Sequence, residues 1–304
     1  DYLIVVDVPG YGFHEVFRTL PEERDGLQRT GINHLSWSIN QDGTVRWPSV
    51  NVLPSEKVTQ DMVLIPEGTF RMGDGSAWLP HHERDVDAFF VDPCEVTVDD
   101  YERVMRRVTK MDDPLQAYEL EKGQLPMALI TWDKAVLFAE VTGRRLLSEA
   151  EFEYLATNLG RSEVPSGDPK DYQGEQWEYN LVREPAYDRL PDFPVFGLHS
   201  NVAEWTDSVQ FFYPGVEDRG PAYDRMINMQ RCRVVRGGPV TLGPNERILN
   251  TNKVTARQRS AWDVSTRDSE IGFRCGRSHE ASYVDRGTIG SRQQAQNAKL
   301  QIRK

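Results

Sequence analysis

Near its C-terminus the chain carries two short strand-like runs, Cys232-Arg233-Val234-Val235 and Ile271-Gly272-Phe273-Arg274-Cys275. Between them lies a long, mostly polar stretch with Thr241, Asn245, Arg247, Asn250, Thr251, Asn252, Arg257, Gln258, Arg259, Trp262 and Asp263. Short apolar runs of this kind read as buried strands. The stretch is a polar set of side chains with one large aromatic, Trp262.

The same punctuation recurs upstream. Met62-Val63-Leu64-Ile65, a Pro66-Glu67-Gly68 turn and Thr69-Phe70-Arg71-Met72-Gly73 read as strand, turn, strand, and Phe89-Phe90-Val91-Asp92 as another strand. Three helices have recognisable starts. Thr97 can cap a helix with Asp99 and Asp100 in its first turn, where carboxylates meet the positive end of the dipole. Thr131 precedes Trp132 to Thr142, with Trp132, Ala135, Val136 and Ala139 at helical spacing and Gly143 as its stop. Ser148-Glu149-Ala150-Glu151 is a capping box opening a helix to Thr157. Val202 to Trp205 is a further strand. Gly160 to Pro194 is polar and rich in Pro, Gly and Asp, which reads as an irregular stretch pinned by function or by contacts.

Residues 1–57 read as a separate small antiparallel β-sandwich, residues 61–276 as the main domain and residues 277–304 as a polar tail with good helix formers. In the first unit Leu3–Val6 and Glu15–Arg18 flank Pro9-Gly10-Tyr11-Gly12. Residues 37–39 and 44–47 flank an Asp42-Gly43 pair, a strong hairpin signal. Pro54 to Gln60 reads as a linker. The chain has no initiator Met and opens directly in a strand, so the expectation is a piece of a longer protein.

Composition excludes some functions. The net charge of −11 makes nucleic acid a poor partner, since an acidic surface repels phosphates. No run of about 18 apolar residues predicts a membrane span. The three cysteines, Cys94, Cys232 and Cys275, form no CxxC pair and read as buried thiols. His81 and His82 are adjacent and diverge, while His14, His34, His199 and His279 are scattered. Asp85 and Asp87 alternate with Val86 and Ala88 like a solvated strand face. There is no phosphate-binding Gly-rich loop and no Gly-x-Ser-x-Gly elbow.

Five ordered landmarks resemble the formylglycine-generating enzyme (sulfatase-modifying factor) family. They are MVLIPEGTFRMGD, VDAFFVDPCEVTVDDY, ITWDKAVLFAEVTGRRLLSEAEFEYLA, Ser200-Asn201-Val202-Ala203-Glu204-Trp205, and the segment from Arg236-Gly237-Gly238 to Gly272-Phe273-Arg274-Cys275. Phe152 stands where the family has Trp, Pro239 where it has Ser and Val240 where it has Trp. The resemblance implies an α+β, elaborated C-type-lectin-like fold with much irregular structure. Catalytic members carry two cysteines that bind copper and attack a substrate thiol. The corresponding positions here are Leu242 and Arg247, so the resemblance implies a scaffold without its nucleophiles.

On that footing the expected activity is binding rather than catalysis. The implied partner is a protein or a small-molecule ligand, held by Arg247, Asn250, Asn252, Arg257, Gln258, Trp262 and Asp263. Trp and Arg supply much contact area in binding sites, although Trp262 reads equally as a core residue. Arg259 and Arg274 read as internal loop pins. Asn201 and Glu204 are the oxygen donors left for a family calcium ion, with the pinning of loop amides as the other role for Glu204. The implied setting is a sensor or receptor at the extracytoplasmic, C-terminal end of a bacterial protein such as a membrane Ser/Thr kinase. Two alternatives stay open: a metal-dependent oxidase or oxygenase with a non-standard site, and a retroelement-diversified binding protein varied near 241–271.

Overall fold

In the computed structural model, residues 2–18, 38–39, 42, 44–46, 50–109, 123–162, 182, 188–216, 232–238, 256–257 and 259–281 are described. Among these residues the fold is a mixed α+β arrangement of four helices and fourteen strands in chain order. At the N-terminus β1 (Tyr2–Val8) and β2 (Gly12–Arg18) form an antiparallel hairpin. The pair β3 (Ser38–Ile39) and β4 (Val45–Arg46) closes across the Asp-Gly signal, with Ser38 opposite Arg46. No contact between these two hairpins is described, so the expected sandwich is not shown.

The segment expected as a linker contains a short helix, α1 (Ser55–Thr59), with Val58 buried. Gly143 explains the fit. Its φ is 76°, and a Cβ there would lie 2.8 Å from a Val58 methyl, so only glycine suits this helix stop.

The apparent hairpin around Pro66-Glu67-Gly68 is not one. Its strands β5 (Val63–Ile65) and β6 (Gly68–Met72) join different sheets. β6 pairs with β7 (His82–Val86), which alternates exposed Glu83 and Asp85 with buried Arg84 and Val86. β5 joins a four-stranded sheet with β8 (Phe89–Val91), β14 (Cys275–Ser278) and β9 (Arg145–Leu146), in the order β5-β8-β14-β9. The second four-stranded sheet has the order β12-β11-β10-β13, built from β10 (Ala203–Val209), β11 (Cys232–Arg236), β12 (Arg259–Asp263) and β13 (Ile271–Gly272).

The terminal apolar run, expected as one strand, is thus split between two sheets. The break falls at Phe273, fully buried in the core, and Arg274, whose side chain has an ion-pair partner of its own.

Helix α2 (Val98–Thr109) starts as expected, with the Thr97 hydroxyl accepting from the Asp100 amide at 3.1 Å. Helix α3 (Trp132–Val141) has Thr131 at its N-cap position, but the Thr131 side chain makes no capping bond. The capping box of α4 (Glu149–Ala156) is complete in both directions.

α3 packs with Tyr101, Trp205, Val235 and Phe273 in one core, and α4 with Phe70, Phe89, Leu198 and Tyr213 in the other. Trp132 and Trp205 lie deep in the first core, and each indole N–H donates to a carbonyl, of Thr206 and Ile130 respectively. Each such ring contributes burial energy without leaving an orphan donor.

Candidate functional site

Every residue of α4 is buried, including Glu149, Glu151 and Glu153. Burying three carboxylates on one helix is costly unless each is paired. The helical period separates them: Glu149 and Glu153 share one face, and Glu151 points away. Glu151 closes the capping box and receives both terminal nitrogens of Arg145, at 2.6 and 2.8 Å. Glu149 and Glu153 hold the two ends of the polar segment between β11 and β12.

The upstream end is Arg236, completely buried, whose guanidinium pairs with Glu153 and reaches the Arg257 carbonyl at 3.2 Å. The chain then turns through Gly237 and Gly238, with φ of 72° and 62°. A Cβ on Gly237 would lie 2.4 Å from the Leu198 carbonyl oxygen and 2.6 Å from the Phe152 ring. On Gly238 it would lie 2.2 Å from the Ala203 amide. The Gly-Gly pair is therefore a requirement of both backbone handedness and close approach. Gly237→Ala is expected to cost about 2 kcal/mol or more, from left-handed strain plus the clash, read as a lower denaturation midpoint.

The downstream end is held twice. Arg259 pairs with Glu149, donates to the Phe211 carbonyl at 3.1 Å and lies over the Tyr213 ring. The Tyr213 hydroxyl donates to Glu149 at 2.7 Å. Burial, reinforced by the Glu149 carboxylate, holds the Tyr213 hydroxyl well above its ordinary pKa. Burial alone would raise the Glu149 carboxyl, but Arg259 and Arg236 hold it below the usual carboxylate range.

Arg257 is also buried. It donates to the carbonyls of Arg71, at 2.6 Å, and Gly73, and lies 3.2 Å from Glu153. Its charge therefore anchors the loop after β6 internally. That loop presents half-exposed Trp78, stacked on Phe212 with ring centroids 6.1 Å apart.

Of the other expected ligand residues, Trp262 and Asp263 are described, and each has a partner elsewhere. Trp262 lies three residues from Arg259 on β12, so it faces the other side of the sheet. It sits opposite Arg233 and packs half-buried against the α3 core. Asp263 accepts from the Ser265 amide and hydroxyl, at 2.9 and 2.6 Å, and shapes the turn after β12. Arg247, Asn250, Asn252 and Gln258 lie outside the described residues.

At the expected cation site, Glu204 is fully buried and its carboxylate is closed by Arg274. The same guanidinium donates to the carbonyls of Phe196 and Gly197, at 2.8 and 3.0 Å. Glu204 thus pairs with a guanidinium that engages both of its carboxylate oxygens. Asn201, half-buried, adopts a left-handed backbone with φ of 66° just before β10. The donor set does not fit a resident calcium ion at Glu204.

Two residues that sequence reasoning passed over, Glu95 and Asp188, shape this region. Glu95 is 2% exposed, and neither of its carboxylate oxygens has a hydrogen-bond partner in another residue among those described. Burial pushes its carboxyl up to about 8, against the pull of Arg274 and with added repulsion from Glu204. Asp188 accepts from the His199 amide, the Ser200 amide and the Ser200 hydroxyl, all within 2.8 Å. The His199 ring spans Asp188 and the Ala156 carbonyl, at 2.9 and 3.0 Å, which makes it a satisfied core histidine. The available signal was the Glu149/Glu153 spacing on an otherwise apolar helix; Glu95 and Asp188 gave none.

Comparison with known proteins follows this geometry. Residues 49–279 match the Sulfatase-modifying factor enzyme 1-like domain. The chain belongs to this family, FGE-sulfatase. The mouse (Mus musculus) protein "Inactive C-alpha-formylglycine-generating enzyme 2" is 25% identical over 177 residues, covering 52% of this chain and 51% of the mouse protein. The chain thus spans about half the length of that curated relative.

PvdO from Pseudomonas aeruginosa is similar in structure, with a TM-score of 0.51, 22% identity and coverage of 73% of this chain and 97% of PvdO. Treponema denticola variable protein 1 gives 0.53 and 18%, covering 71% and 94%. These likenesses establish the FGE-like, C-type-lectin-like fold. Leu242 and Arg247, the positions that the family resemblance assigns to copper-binding cysteines, lie outside the described residues. Among the described residues no helix is long and apolar enough to cross a membrane.

Proposed function

We propose that the chain is a non-catalytic binding domain, a sensor or receptor built on the FGE scaffold. The observation that carries this reading is the pair Leu242 and Arg247 at the nucleophile positions of a family whose chemistry needs sulfur there. Cysteine-dependent oxidation begins with a thiolate that binds metal and exchanges with the substrate thiol. Neither an alkyl chain nor a guanidinium can do this. The name of the mouse relative, which marks that protein inactive, supports the same reading.

The binding surface in this reading is the segment between Gly238 and Arg257. Its ends are tied to α4 through Arg236, Arg257 and Arg259. Anchored ends let the segment between them vary in side chains without loss of the framework. Arg247, Asn250, Asn252 and Gln258 are the proposed contact residues. The half-exposed Trp78 borders the same region through the Arg257 bonds to the loop after β6. The partner is a protein or a small molecule. The proposed setting is the extracytoplasmic end of a bacterial protein such as a membrane Ser/Thr kinase.

The test is direct. Purified protein, supplied with copper and a cysteine-containing sulfatase-type peptide, is expected to leave the cysteine unchanged by mass spectrometry. Aldehyde formation, or stoichiometric copper or iron carried through purification, would move the chain to the oxidase class.

A further inference from the structure

We infer that the β1–β2 hairpin, which lies outside the family match, is latched to the FGE-like domain through Glu15 and Arg277 and forms one rigid body with it. The inference is independent of what the groove binds.

The burial pattern of β2 is the first observation. A strand with one covered face alternates buried and exposed residues. Here Gly12, Phe13, His14, Glu15 and Val16 are buried without a break, whereas Ile4, Val5 and Val6 of β1 are half-buried. β2 is therefore covered on both faces, and the domain supplies the second cover.

The contacts are specific. Glu15 is 3% exposed. It accepts from the Ser278 hydroxyl at 2.9 Å and the Ser278 amide at 3.1 Å, with the Arg145 guanidinium at 3.5 Å. A buried carboxylate on a tethered, freely moving module would be strongly disfavoured; here three donors from the domain surround it.

Arg277, the neighbour of Ser278 on β14, reaches the other way. Its guanidinium lies 4.0 Å from the Phe13 ring centroid and donates to the Phe13 carbonyl and the Ser55 hydroxyl, both at 2.9 Å. Ser55 closes the loop by donating its amide to the Tyr11 carbonyl at 3.0 Å. Gly12 is required at the same seam, since a Cβ there would lie 2.3 Å from the Leu53 carbonyl oxygen.

The latch also leads toward the anchors of the polar segment. Arg145 bridges Glu15 and Glu151. Glu151 belongs to α4, whose opposite face carries Glu149 and Glu153 for the arginines of the polar segment. One helix thus connects the hairpin with the arginines that anchor the ends of the polar segment.

Hydrogen exchange on the whole chain tests the latch. Glu15→Ala is expected to speed exchange at least tenfold across β2 and residues 275–281, with α3 unchanged. No change at 275–281 would overturn the inference. If the variant loses protection in α3 as well, the decision passes to the distance between spin labels at exposed Val8 and Leu64, with Glu15 intact and Cys94 replaced by Ser. A single narrow distribution supports a latched hairpin, and a broad one overturns it.

Discussion

Arg274→Ala is expected to destabilise the protein by about 3–5 kcal/mol, the cost of removing one partner from a buried ion pair. Three features place it at the upper end. The Glu204 carboxylate is fully buried and receives both Nε and Nη2 of Arg274. The carbonyls of Phe196 and Gly197 lose a donor at the same time. Glu95, next to this pair, loses the cation that chiefly opposes the effect of its burial. Arg274→Lys is expected to recover little, because an ammonium cannot reproduce the planar fork that serves a carboxylate and two carbonyls together. Urea denaturation reads the effect. A loss below about 1 kcal/mol, typical of exposed pairs, would contradict the buried geometry.

Glu95 gives the second large effect, through pH. Its carboxyl rises from an ordinary 4.5 to about 8 on folding, first from burial and then from Glu204. The folded state thus holds a proton that the unfolded state releases. Stability is fully present below about pH 4.5 and is lost as pH rises toward 8, with a slope of up to about 1.4 kcal/mol per pH unit. Asp207, raised to about 7 by burial, acts in the same sense and is still titrating between pH 7 and 8. The difference between wild type and a Glu95 variant therefore isolates Glu95. Glu95→Gln keeps the shape, removes that one titration and is expected to lower the slope between pH 7 and 8, leaving the variant more stable than the wild type at pH 8. An unchanged slope between pH 7 and 8 would assign the proton elsewhere.

These two groups show where sequence reasoning ends. The Ser148–Glu151 capping box was legible because both bonds lie within one turn. The Asp-Gly hairpin and the stop of α3 at Gly143 were legible for the same local reason. Arg236-Gly237-Gly238 was visible as a landmark, yet its necessity rests on Leu198, Phe152 and Ala203, all remote in sequence. Arg257 looked like a surface cation because it stands in a polar stretch. In the fold it is buried against Glu153 and two carbonyls more than 180 residues away. Trp262 read equally as a ligand residue and as a core residue, and strand alternation sends it to the face opposite Arg259. Glu204 looked like an oxygen donor until Arg274 was found on it.

By itself, the sequence determined the starts of α2, α3 and α4, the tight glycine turns, the order of the family landmarks and the absence of thiols at Leu242 and Arg247. These depend on residue identity and on spacing within a few positions. Only the tertiary structure decided which arginine meets which carboxylate, that the last apolar run divides between two sheets, and that Glu15 is buried against β14. Charge pairing in a core is set by three-dimensional proximity under low dielectric. Glu149, Glu151 and Glu153 are alike in sequence, and only packing assigns each its partner.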